Sequence, residues 1–180
     1  MTYYGPHEMA ASFRTVRQNT IRIAEEIPEE HYGYRVTPDT RSVAETLAHI
    51  AVNSRFQREV HIAQRRNTME GFDFVGFMGK QAAEEKAHRS KAEILELLRA
   101  EGEKFASILE GLPEDLLAER VTLLQGVTPP AKSRFEMLLT SKEHEMHHRS
   151  QLMLVERLLG ITPHLTRHMQ ERLAAMKAAQ

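Results

Sequence analysis

Three serines in the chain are each followed, three residues later, by a glutamate and then by apolar residues at helical spacing. The pairs are Ser42 with Glu45, Ser90 with Glu93, and Ser133 with Glu136. In such a capping box the serine side chain accepts a hydrogen bond from a backbone N–H of the first helical turn, and the glutamate reaches back to the serine N–H. Each pair therefore predicts the start of an amphipathic helix, and three of them favour an all-α fold.

A further long helix is predicted ahead of these three, from Pro6 to just before Pro28, because proline suits a first helical turn and ends a preceding helix. Gly111 and Gly160 mark the ends of the helices that begin at Ser90 and Ser133. A shorter fifth helix is expected after Thr162-Pro163. Its apolar side is formed by Leu165, Met169, Leu173 and Met176. We expect residues 1–180 to form a single domain, a four-helix bundle with a short C-terminal fifth helix.

Three connections are longer than is usual between bundle helices, where about two to eight residues suffice. They are residues 28–41, 67–79 and 112–132. The connection 67–79 contains Phe72, Phe74 and Phe77, which is too aromatic for a solvated linker. We expect it to pack over one end of the core, either as a lid over a site or as a simple cap on the bundle.

Composition excludes several classes of function. The chain has 24 Lys and Arg against 25 Asp and Glu, so no basic field draws it to nucleic acid or to an anionic membrane. It has neither a leader pattern at the N-terminus nor the run of about 18 apolar residues that a membrane span needs. It has no cysteine, which leaves His, Asp and Glu as strong metal ligands. We expect a cytoplasmic protein that binds neither nucleic acid nor membrane.

The segment 143–151 carries three histidines within one predicted helix. Side chains four residues apart project from the same helix face, so His144 and His148 could bind one cation. Neutral imidazole is a ligand for zinc, nickel or iron. His147 could instead pair with His144, and two exposed histidines without a metal would show the same spacing. The spacing alone indicates half of a metal site.

A third ligand would have to come from another helix, and His49 is the best candidate. It lies among Ala48, Ile50 and Ala51, which are predicted to be buried, and an unpartnered ring there would be costly. A core histidine with an ordinary hydrogen-bond partner is the alternative. The remaining histidines are poorer candidates: His7, His31, His61, His88, His164 and His168. A distance above about 8 Å from the ring of His49 to both other rings would refute a three-histidine site.

Residues 144–148 also match H-E-x-x-H, the helix of zinc proteases, in which Glu145 would be the general base. The third histidine of the extended motif is absent, because Leu154 stands at that position. No strand-rich segment is present to bind a peptide as an added strand. A metalloprotease is therefore a minor alternative.

Two sequence segments, Pro38 to Ile50 and His144 to Gln151, together resemble the DinB/YfiT-like family of metalloenzymes, which is the DinB superfamily. The resemblance extends over about residues 5–160. The resemblance implies a four-helix bundle that binds a divalent ion, often zinc or nickel, through His49, His144 and His148, with water at the remaining positions. It also implies frequent homodimers. Ser150 stands where the family usually has glycine, which affects helix packing but removes no ligand.

Some members of this family are thiol S-transferases or thiol-dependent isomerases. The resemblance therefore implies a metalloenzyme that activates water or a low-molecular-weight thiol, of hydrolase or S-transferase type, acting on a small molecule. Since the chain lacks cysteine, the thiol would be a cosubstrate. A non-catalytic module that binds a small ligand or a metal is the alternative. Glu45, Asn53 and Gln151 are spaced to orient the histidine rings, although ordinary surface polarity explains them equally well.

Overall fold

The computed structural model describes residues 4–179 and is mostly helical. The helices are α1 (Pro6–Glu26), α2 (Val43–Arg58), α3 (Phe74–Lys86), α4 (Lys91–Glu110), α5 (Glu114–Ala118), α6 (Arg134–Leu158) and α7 (His164–Ala178). A two-stranded antiparallel sheet, β1 (Arg120–Thr122) with β2 (Ala131–Ser133), places Val121 opposite Lys132. A 3₁₀ turn (Glu29–His31) follows α1, and a π-helical turn (Glu59–Ala63) extends α2. The predicted all-α fold is confirmed.

All three predicted capping boxes are formed. Ser42, Ser90 and Ser133 are the N-cap residues of α2, α4 and α6, and each accepts from the backbone N–H of its glutamate. Each glutamate in turn accepts from the serine N–H, at 3.0 Å in α2 and 2.7 Å in both α4 and α6. These reciprocal bonds satisfy backbone donors that a helix start would otherwise leave unpaired. The predicted starts of the three helices are therefore confirmed.

The core lies between α1, α2, α4 and α6. Helix α1 packs on α4 and α6, and α2 packs on α4 and α6 as well. At one level of the bundle the rings of Phe13 and Phe105 meet edge to face, with centroids 5.0 Å apart. At another level Leu47, Ile50 and Leu98 are fully buried. This packing fixes the inward faces of α2 and α6, which carry the histidines of interest.

The prediction of a connection over residues 67–79 is wrong in its second half, because α3 begins at Phe74. Asp73 caps the helix by accepting from the N–H of Gly76 at 2.9 Å. The expected packing of the aromatic residues is present, since Phe72, Phe74 and Phe77 surround Phe56 of α2 with ring centroids 5.6 to 6.0 Å away. The segment therefore places an additional helix against α2.

Helix α7 is the expected C-terminal helix and has 15 residues. Its first turn is attached to the bundle, since Arg167 binds Glu26 at 2.6 Å and His164 contacts Asn19 at 3.1 Å. Its predicted apolar side is not buried, with Met176 63% exposed. Between residues 4 and 179, no helix combines the length and the apolar character that crossing a bilayer requires.

Candidate metal centre

The structure brings His49, His144 and His148 together between α2 and α6. The Nε2 atom of His144 lies 3.0 Å from Nε2 of His49 and 3.2 Å from Nε2 of His148. The ring centroids are 4.5 to 4.7 Å apart, well inside the limit of about 8 Å that imidazole ligation of one ion requires. The rings thus converge through the same type of nitrogen.

Each ring reaches this point from a helix that is fixed by packing. His144 and His148 are one turn apart on α6 and share a face, as their spacing predicts. His49 is only 7% exposed and lies on the buried side of α2 beside Ala48 and Ile50. His147 is exposed, and its ring is directed toward Gln151 at 3.3 Å instead of into the cluster. The structure therefore places His148, and not His147, beside His144.

Glu85 of α3 fixes the ring of His49. Its Oε1 atom lies 2.6 Å from His49 Nδ1, and its Oε2 accepts from Arg41 Nε at 3.0 Å. A carboxylate only accepts hydrogen bonds, so His49 carries its proton on Nδ1 and presents a lone pair at Nε2. Partners of this kind orient metal-binding histidines in many proteins. Glu85 is not among the residues predicted from the sequence, because α3 is not predicted either.

Gln151 fixes the ring of His148 in the same manner, with its Oε1 atom 2.7 Å from Nδ1. The amide oxygen accepts, which again leaves a lone pair at Nε2. The suggestion that Gln151 orients a ring therefore agrees with the structure. Glu45 instead caps α2 and binds Arg35 at 2.6 Å. Within residues 4–179, Asn53 makes no hydrogen bond to His49.

Burial favours the neutral form of all three rings. Removal from water lowers the pKa of His49 and of His148, although Glu85 and Gln151 each act in the opposite direction. Burial, and then the neighbouring His148 and His49, lower the pKa of His144 to about 3. Neutral imidazoles are the form that binds a metal ion.

The donor set fits a divalent ion. His49 and His148 both present lone pairs, and His144 between them has at most one hydrogen on Nε2 to share. Separations of 3.0 and 3.2 Å are close to the roughly 3.3 Å expected between ligands of a tetrahedral ion with bonds of about 2.0–2.1 Å. Within the described part of the chain, this is the group of His, Asp and Glu side chains whose geometry could hold a metal ion.

Glu145, the general base of the metalloprotease alternative, faces away from the cluster. It is 1% exposed and binds Arg17 through Oε1, 3.0 Å from Nε, and Oε2, 3.0 Å from Nη2. Both carboxylate oxygens are therefore occupied in the core. The H-E-x-x-H match supplies two histidines to the cluster but no base, which argues against a protease.

A cavity of about 920 Å³ opens beside the cluster. His148, Gln151 and Glu85 lie in its wall, so a small molecule entering it would reach the histidine cluster at His148. The loop before α2 and the outer faces of α3 and α6 form the remaining walls. They include Tyr34, Arg35, Val36, Pro38, Asp39, Thr40, Arg41, Val43, Lys86, Leu152, Leu154 and Val155.

Comparison with known proteins identifies a family and a sequence relative. Residues 12–152 match the family model described as the DinB superfamily. The uncharacterized protein YjoA of Bacillus subtilis (strain 168) is 26% identical over 156 residues, which cover 87% of this chain and 92% of YjoA. All three histidines lie within the region that the family model covers.

Two solved structures show the same fold. The crystal structure of YjoA, a DinB-like protein from Bacillus subtilis, aligns with a TM-score of 0.62 at 22% identity over 86% of this chain and 93% of that one. A protein from Streptococcus pneumoniae aligns with a TM-score of 0.63 at 16% identity, over 87% and 93% of the two chains. The matched region of each covers most of the bundle.

Proposed function

This chain belongs to the DinB superfamily, and we propose that it binds one divalent metal ion through His49, His144 and His148. The proposal rests on one observation: the Nε2 atom of His144 lies 3.0 Å from that of His49 and 3.2 Å from that of His148, and the ligand atoms of all three rings lie within 4.8 Å of one another. Zinc and nickel suit three imidazoles best, and iron is a third candidate.

We further propose that the protein is a metalloenzyme acting on a small molecule, as a thiol S-transferase or a hydrolase. A divalent ion with three protein ligands keeps open positions and lowers the pKa of a water or thiol there. The chain's own residues hold the site in place, since Glu85 and Gln151 fix two of the three rings. The absence of cysteine makes any thiol a cosubstrate, and the adjacent cavity gives it access.

A non-catalytic module that binds a metal or a small ligand is the second candidate. This candidate is favoured because both glutamates in the cavity wall are held in ion pairs. Glu85 is held by His49 and Arg41, and Glu45 is held by Arg35. Neither is free to move a proton for a substrate without breaking an ion pair, so neither offers a ready general base.

Metal analysis of the purified protein tests the proposed site. After incubation with zinc, nickel or iron and removal of free metal, we expect about one ion per chain, as three convergent imidazoles require. His148→Ala should lose it, whereas His147→Ala, which changes the exposed neighbouring histidine, should retain it. A wild-type protein that binds none of the three metals, or equal loss in both variants, would refute the site.

Activity measurements then separate the two candidates. Metal-loaded wild type and His148→Ala are compared with a low-molecular-weight thiol plus an electrophile, and with simple esters and amides. Turnover that requires both thiol and metal supports the transferase, and ester or amide cleavage without thiol supports the hydrolase. Metal binding without either reaction supports the binding module. A homodimer and a cytoplasmic location stay predictions, the first of them testable by light scattering.

A further inference from the structure

Two cations in the cavity wall have hydrogen-bonding capacity that the protein does not use. Arg41 donates from Nε to Glu85 at 3.0 Å, and within residues 4–179 its two η nitrogens have no hydrogen-bond partner. Lys86, at the end of α3, is exposed, and in the same residues it makes no hydrogen bond or ion pair. Both lie in the wall of the cavity that contains His148. Arg35, by contrast, is paired with Glu45 at 2.6 Å.

The charge of the proposed metal site also favours an anion. The three histidines are neutral ligands, and the charge of Glu85 is offset by Arg41. A divalent ion there would leave positive charge that no ligand balances, and a half-buried site makes that imbalance costly. Among the acidic side chains of the cavity wall, that of Asp39 has no cationic partner in the described residues. Its carboxylate accepts a hydrogen bond from the hydroxyl of Thr37 at 2.6 Å.

Part of the cavity wall is apolar. Val43, Leu152 and Val155 form a buried floor, at 2%, 1% and 8% exposure. Val36, in the loop before α2, and Leu154, on α6, also line the cavity and remain 47% and 54% exposed. An apolar group in contact with these two side chains would remove that surface from water, which is favourable.

We propose that the cavity takes a small carboxylate with an apolar body. The carboxylate is held by Arg41 and Lys86, and the body lies against Val36 and Leu154. A guanidinium presents two parallel N–H donors that match the two oxygens of a carboxylate. This inference rests on the proposed function and specifies the substrate class of the same site.

The test compares 4-phenylbutyrate with its uncharged amide, 4-phenylbutanamide, by titration calorimetry on the zinc-loaded protein. We expect the carboxylate to bind about tenfold more tightly, because charge-assisted hydrogen bonds are worth more than neutral ones. Arg41→Gln and Lys86→Gln should each remove most of that preference. Lys80→Gln is the matched control, since Lys80 is an exposed lysine of α3 outside the cavity wall.

Equal affinity for the two probes overturns the inference. So does a carboxylate preference that survives both substitutions, because the anion would then bind the metal directly. Zinc content is measured on every sample, so a protein without metal contradicts the proposed function, whereas a zinc-loaded protein that does not discriminate contradicts the carboxylate subsite. If Arg41→Gln loses zinc through Glu85, Lys86→Gln decides, since the Lys86 side chain makes no hydrogen bond or ion pair with Glu85 or with a histidine in the described residues.

Discussion

Helix α6 contributes consecutive residues, His144 and Glu145, to two buried polar clusters that differ in one respect. Around Glu145, the Nε and Nη2 of Arg17 bind the carboxylate, and Arg17 also donates to the backbone oxygens of Leu98 and Ile50. Each of these charged groups finds its partners within the protein. Around His144, lone pairs of neighbouring rings meet without enough hydrogens between them. The Arg17–Glu145 pair completes its hydrogen bonds within the protein, as a structural cluster should. The histidine cluster instead leaves nitrogen lone pairs that a bound ion could use.

The packing supports the same distinction. An ideal Cβ at position 102 of α4 would lie 2.7 Å from Cγ of Arg17, so the glycine gives Arg17 the room to reach Glu145. The ion pair thereby connects α1, α2, α4 and α6 at one point. The histidine cluster is half-open at its edge, where His148 faces the cavity.

Glu156, three turns further along α6, provides a third case. It is fully buried, and in the described structure neither carboxylate oxygen has a hydrogen-bond partner. Burial, and then the charge of Glu26, raise its pKa to about 7, while Arg167 and Arg157 act in the opposite direction. Below about pH 7 this group relieves the cost of its burial by keeping a proton.

Breaking the ion pair should have the largest effect. Glu145→Ala leaves Arg17 charged and buried, and we expect it to lower the free energy of unfolding by about 3–5 kcal/mol, measured by urea denaturation. Glu103→Ala, which removes a partner of the exposed Arg14, should cost about 1 kcal/mol or less.

Replacing both charges together, as Arg17→Met with Glu145→Leu, should recover much of the loss, because no unpaired charge then remains. Stability close to wild type in the single Glu145→Ala variant would contradict the structural role of the pair.

The next effect concerns pH. A carboxyl group whose pKa is raised on folding contributes stability that is complete below its unfolded value and is lost as pH rises. For Glu156 we expect up to about 3 kcal/mol to be lost between about pH 4.5 and 7. Urea denaturation at several pH values should show this loss reduced in Glu156→Gln. Glu143→Gln, at an exposed position on the same helix, is the control, and equal pH dependence in all three proteins would contradict the assignment.

The smallest effect tests how the histidines are held. Glu85→Gln weakens the contact that fixes His49, and we expect it to raise the dissociation constant for the metal about 10- to 100-fold, measured by competition with a chelator. Glu84→Gln changes the adjacent glutamate, which binds Arg89 instead. Unchanged metal affinity in Glu85→Gln would show that the His49 ring needs no charged partner.

The sequence was sufficient for the elements whose signals are local. The boxes at Ser42, Ser90 and Ser133 depend on contacts three residues apart, and they predicted α2, α4 and α6 correctly. The pairing of His144 with His148 is local in the same sense. Bringing His49 to them relied on a family resemblance, because no local rule joins residues on separate helices.

Helix α3 was missed for a physical reason. Its cap, Asp73, is followed three residues later by Gly76 in place of a glutamate, and a second glycine, Gly79, weakens the helical pattern further. Glu85 was therefore not placed near His49. The strands β1 and β2 have three residues each, too few to show alternation. The burial of Glu145 against Arg17 also depends on contacts between distant segments.

The separation of His49 from His144 along the chain is 95 residues. Closing a loop of that length costs entropy, and the two rings can meet only after α2 and α6 have docked. We therefore expect the cluster to form late in folding, so that an ion bound there would leave the folding rate nearly unchanged. Its stabilisation would appear instead as slower unfolding, so that the ion prolongs the lifetime of the folded state.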